Sequence, residues 1–115
     1  MTTPEGKVQS YGAQQFKKHG CLVRKIGYEG RRGCPDQLVG VPRYVSKIAT
    51  SFGYSRNVVL AARTLFIEYK AAEDIEPEAH QVREHERMRA VGMDVRVIGS
   101  KRQVDELIKE LFPCG

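Results

Sequence analysis

Two carboxylates and a lysine carry the clearest chemistry in the sequence. Asp36 stands directly after a glycine-rich loop at the head of a predicted strand, and Glu68 and Lys70 close another. Side chains alternate along extended backbone, so residues two apart leave the same face of a sheet. Glu68 and Lys70 are therefore delivered together, at a strand end where a carboxylate is both rigid and reachable. Such a set suits hydrolysis of a phosphodiester. Hard carboxylate oxygens hold Mg²⁺ or Mn²⁺, which stabilises charge on a phosphate and acidifies water. A neighbouring lysine can orient or deprotonate that water. The plainer reading of Glu68-Tyr69-Lys70 is the solvated end of a strand. Glu5-Gly6-Lys7 repeats the spacing, but at a predicted helix start, where positions two apart do not face one another.

The elements that must position these groups follow from local signals. Thr3-Pro4 reads as an N-cap with proline at the first helical position, and the helix runs to Lys18 before His19-Gly20 ends it. Cys21 to Ile26 is strand-like. Gly27, Gly30 and Gly33 punctuate a basic loop, and Asp36 to Val41 is a second strand that stops before Pro42. Tyr44 to Phe52 allows a short helix, and Gly53 to Asn57 resembles a turn. Arg63 to Lys70 is the clearest strand. Pro77 opens a helix to about Val91, closed by Gly92, and Val95 to Ile98 is a fourth strand. Ser100 to Gln103 is a capping box for a last helix whose buried stripe is Val104, Leu107, Ile108 and Leu111. The fold class is α/β, a mixed sheet flanked by helices, with a right-handed crossover between the third and fourth strands. A chain of 115 residues has room for one domain, 1–115.

Charge and composition narrow the partners. The net charge is +5, and residues 1–34 hold seven lysines and arginines against two acids. A basic half favours a polyanion, since each neutralised phosphate releases counterions. Arg31 and Arg32, with the loop glycines and nearby Lys25, are candidates for phosphate contacts; a plain surface turn is the simpler alternative. Three cysteines without a C-x-x-C pair argue against a disulfide framework or a structural zinc. Cys34 reads as packing, with no evident base beside it. No apolar run spans a bilayer, and no signal-peptide pattern opens the chain, so a cytosolic protein is expected. His80 and His85 fall about 140° apart on a helix, too far to share a metal, and read as solvated surface.

The stretch Arg31-Arg-Gly-Cys-Pro-Asp36, then Leu65-Phe-Ile-Glu-Tyr-Lys-Ala71, Gln81 and Gly92-Met-Asp-Val-Arg-Val97 resembles the VRR-NUC family, the virus-type replication and repair nucleases. The likeness covers nearly the whole chain in order, and is greatest to small stand-alone members from phages and bacteria. It implies a restriction-endonuclease-like PD-(D/E)xK core and a Mg²⁺- or Mn²⁺-dependent endonuclease acting on branched DNA such as Holliday junctions. It further implies that Asp36, Glu68 and the backbone carbonyl of Tyr69 hold the metal and that Lys70 positions or activates water. Gln81 would support the site, and Glu5 would be a further acid at its edge. Tyr69 stands where the family has leucine. Residues 43–63 form a longer link than a minimal member needs, and their apolar residues (Tyr44, Ile48, Phe52 and Tyr54 among them) suit a homodimer interface or contacts to bases. A non-catalytic nucleic-acid-binding module on the same fold, or an enzyme trimming free ends or flaps, are the alternatives.

Overall fold

In a computed structural model, residues 2–42, 44–49, 55–59 and 63–113 are described, the two middle segments by backbone alone. Thr3 caps helix α1 (Pro4–Lys18), its hydroxyl accepting from the Gly6 amide, and Lys17 and Lys18 lie at the negative end of the helix dipole. Strands β1 (Leu22–Lys25) and β2 (Gln37–Val41) follow, with the basic loop between them. After β3 (Tyr44–Ala49) and β4 (Ser55–Val59) come β5 (Arg63–Tyr69), helix α2 (Ala79–Ala90), β6 (Asp94–Ile98) and helix α3 (Lys101–Leu111).

Four strands form one mixed sheet in the order β1-β2-β5-β6, antiparallel except for the parallel pair β5 and β6. A parallel neighbour requires a crossover, and α2 supplies it. Residues of one parity (Val39 and Val41 on β2; Leu65, Ile67 and Tyr69 on β5; Ile98 on β6) form the core with Val8 and Phe16 of α1 and Val104, Leu107 and Leu111 of α3. The opposite parity, Glu68 included, faces α2.

Tyr44 to Ala49 is a strand, not a short helix, and Ser55, Arg56 and Asn57 belong to its partner rather than to a turn. The two pair antiparallel as a separate hairpin between β2 and β5, with a register shift between Val45 and Ile48. The residues are compatible with it: Tyr44, Val45, Ile48, Val58 and Val59 are β-branched or aromatic, types that suit a pleated surface slightly better than a helix. Phe52, Gly53 and Tyr54 lie outside the described residues. Helix α2 begins two residues later than Pro77 suggests, with Glu78 as its N-cap. Ser100 caps α3 as expected, although Gln103 reaches back to the Gly99 amide.

The tyrosine between Glu68 and Lys70 occupies fully buried space. Its hydroxyl donates to Gln37 Oε1 at 2.8 Å, and a Cβ on Gly12 would lie 2.3 Å from the tyrosine hydroxyl oxygen. Glycine inside a helix costs up to about 1 kcal/mol against alanine, so its presence at position 12 answers to Tyr69. Gly12→Ala should therefore destabilise the fold by about 1–3 kcal/mol through overpacking, despite better helix propensity. Urea unfolding checks this, and a neutral or stabilising effect would show that the contact yields easily.

Candidate active site

The register of β2 on β5 builds the centre of the site. Gln37 pairs with Ile67, and the Asp36 amide continues the ladder onto the Ile67 carbonyl at 2.9 Å, which sets Asp36 opposite Glu68. The Asp36 carboxylate then accepts from the Tyr69 amide at 2.7 Å, which pins it over the end of β5. Glu5, from the first turn of α1, joins them. Glu5, Asp36 and Glu68 each offer an oxygen within 4.8 Å of the others.

Three acids that close repel, and the cost falls on the one most removed from water. Glu68 is 2% exposed. Burial first, and then the negative charge of Asp36, push its carboxyl up to about 8, while the Lys70 ammonium pulls it down. Its Oε1 is buried without a hydrogen-bond partner. A hard divalent cation among these oxygens would relieve the repulsion, so the donor set fits Mg²⁺ or Mn²⁺.

Lys70 leaves the same face of β5 as Glu68. Its Nζ donates to Gln81 Oε1 at 2.7 Å and lies 4.0 Å from Glu68 Oε2. Gln81 is the keystone: its Oε1 also accepts from the Glu78 amide at the start of α2, and its Nε2 donates to Glu68 Oε2 at 3.2 Å. One amide side chain thus caps the helix, orients the lysine and holds the carboxylate.

The basic loop folds onto α2 beside this centre. Gly33 (φ 95°) permits the approach, since a Cβ there would sit 2.9 Å from Glu84 Cβ. Arg31 pairs with Glu84 at 3.3 Å, Tyr28 donates to the same carboxylate at 2.8 Å, and Arg32 lies 3.4 Å from His80 Nδ1. The hydrogen bond from Tyr28 is the largest influence holding the Glu84 carboxyl below its usual range. Lys25 closes β1, exposed to solvent. Burial, then the charges of Glu68 and Asp36, push the Cys34 thiol up, which keeps it protonated and a poor nucleophile.

His85 is not solvated surface. It is 1% exposed, with Nε2 3.8 Å from Glu68 Oε1, while His80 is half-buried near Glu78 and Arg32. A signal for it was present: His85 is four residues after Gln81, so a helix that aims one at the site aims the other too. Glu84 was also unforeseen, for its partners come from a loop more than fifty residues earlier.

No family model matches the chain. It is 29% identical over 97 residues, 84% of each sequence, to "Putative nuclease p44" of Acyrthosiphon pisum secondary endosymbiont phage 1. A solved "VRR_NUC domain" superposes with a TM-score of 0.71 at 42% identity, covering 94% of this chain and 97% of that one. With that identity over nearly the full length of both, and with its mixed sheet and flanking helices, the chain belongs to the VRR-NUC nuclease family.

Proposed function

We propose that the protein is a Mg²⁺- or Mn²⁺-dependent DNA endonuclease selective for branched DNA. The observation that carries the reading is the cluster of Glu5, Asp36 and Glu68, whose oxygens lie within 4.8 Å of one another, with Lys70 tethered beside Glu68 by Gln81. Asp36, Glu68 and the Tyr69 carbonyl are the oxygens that would hold the ion, with Glu5 at its edge. When bound, the ion supplies positive charge to the scissile phosphate and Lewis acidity to the reaction. Lys70 orients the attacking water or takes its proton, and Gln81 keeps the lysine and Glu68 in register. Arg31, Arg32 and Lys25 draw the phosphate backbone towards the site. Residues 1–115 act as one nuclease domain, with 43–63 an inserted element.

The preference for branched DNA rests on the VRR-NUC resemblance, and so does a homodimer that sets two sites against two strands of a junction. The apolar side chains of residues 43–62 invoked for that interface lie outside those described. Among the described residues no helix is long and apolar enough to cross a membrane.

Incubating the protein with labelled four-way junction, flap, duplex and single strand, with and without Mg²⁺ or Mn²⁺, tests the proposal. Junction cutting that requires metal is expected. Trimming confined to ends or flaps would replace the endonuclease with an exonuclease or flap nuclease, and no cutting of any substrate would leave a binding module. Light scattering should show a dimer at micromolar concentration; a monomer that still resolves junctions would discard the paired-site arrangement. Replacing Arg31 and Arg32 together with alanine should weaken binding alike across sequences and flatten its salt dependence, by a slope of about one per lost phosphate contact. A changed sequence preference at constant slope would place them on base edges instead.

A further inference from the structure

Two buried polar atoms among the described residues have no hydrogen-bond partner, Glu68 Oε1 and His85 Nε2, and they face each other at 3.8 Å. Leaving either unpaired away from water is costly, and native folds rarely do so. The gap is longer than a hydrogen bond but too short for a water to bridge, since two bonds of about 2.8 Å in sequence span more. A small rotation of the carboxylate satisfies both atoms at once.

The surroundings favour imidazole as the donor. His85 is carried on α2 one turn after Gln81, whose amide already holds the other oxygen of the same carboxylate. An ionised carboxylate can only accept, so a ring with its proton on Nε2 is the form that suits the contact. Glu84 lies next along the helix but is engaged by Tyr28, Arg31 and Arg87, which leaves Glu68 as the acceptor facing this ring.

We infer that His85 is a positioning residue: it donates from Nε2 to Glu68 Oε1 and, with Gln81 on Oε2, fixes the plane in which Glu68 meets the cation. The inference rests on the metal-dependent reading above. Partners of this kind orient a ligand's lone pairs, and their loss typically weakens metal affinity or activity by about 10–100-fold. His85 does not touch the reacting atoms. Its effect should fall on metal affinity and kcat, leaving the KM for DNA alone.

Nitrogen-15 NMR of the imidazoles in the full-length protein, recorded above pH 8 where Glu68 is ionised, reads the contact without any metal. The His85 Nε2 should carry the proton, and its shift should move in Glu68→Gln, which weakens the acceptor. Calorimetry with Mn²⁺ alone then reads the consequence: His85→Ala should bind about tenfold or more weakly, and His85→Gln, whose amide can donate, should recover most of the loss. An unprotonated Nε2, or a folded His85→Ala that binds Mn²⁺ like the wild type, overturns the inference. If His85→Ala does not fold, equal binding by His85→Gln and His85→Leu overturns it, and a loss in His85→Leu alone sustains it. A wild type that binds no Mn²⁺ while the NMR contact is present defeats the metal reading and leaves the hydrogen bond standing.

Discussion

Replacing Asp36 with alanine is expected to abolish Mn²⁺ binding in a calorimetric titration. Asp36 sits opposite Glu68 and is pinned by the Tyr69 amide, which holds its carboxylate beside the Glu68 oxygens. With Glu5 and Glu68 alone the cation would lose one of its closest charges, and hard cations depend on ligand charge and number. The wild-type affinity should itself vary with pH. Burial and then Asp36 raise the Glu68 carboxyl to about 8, so below that pH the cation must displace a proton. Affinity should fall about tenfold for each pH unit below 8, approaching one proton released per ion. In the metal-free fold the protonated form of Glu68 is the favoured one. Its contribution to stability is whole below the ordinary value of 4.5 and is lost as pH rises through about 8. Mn²⁺ should therefore raise Tm more at pH 8 than at pH 6. Undiminished binding in Asp36→Ala would remove these acids as the ligand set, and an affinity flat between pH 6 and 8 would place the Glu68 carboxyl below that range.

Lys70→Ala should lower cleavage by about 10²–10⁴-fold, the usual worth of a positioned proton-transfer group, with affinity for DNA in Ca²⁺ little changed. The lysine is only 12% exposed and is held by Gln81 rather than presented to a groove, so it adds little to phosphate attraction. Lys70→Arg should not restore the rate, because a guanidinium cannot accept a proton and its fork does not fit the single Gln81 oxygen. Single-turnover cleavage with binding measured in parallel separates the two effects. A variant that cuts at the wild-type rate would mean that Lys70 only balances the charge of Glu68.

Where a feature depends on neighbours within one element, spacing along the chain was enough to read it. Thr3-Pro4 and His19-Gly20 mark both ends of α1, because caps and the left-handed turn at Gly20 act through backbone within a few residues. Val104, Leu107 and Leu111 recur at helical period and are buried together in α3. Glu68 and Lys70 share a face because a strand alternates. Position between elements was another matter. Asp36 meets Glu68 only through the β2–β5 register, which a slip of one residue would destroy. Glu5 reaches the pair only because α1 packs against the sheet, although the same residue reads locally as a helix-start acid. His85 looks like surface in a helix with few apolar residues, and it is buried because Gln81 and the crossover turn that face onto Glu68. The stretch from Tyr44 to Ala49 is a strand because Ser55 to Val59 pairs with it. Local propensities differ by tenths of a kcal/mol per residue, whereas ladder pairing and burial are non-local terms of kcal size, so the tertiary structure decided each of these four.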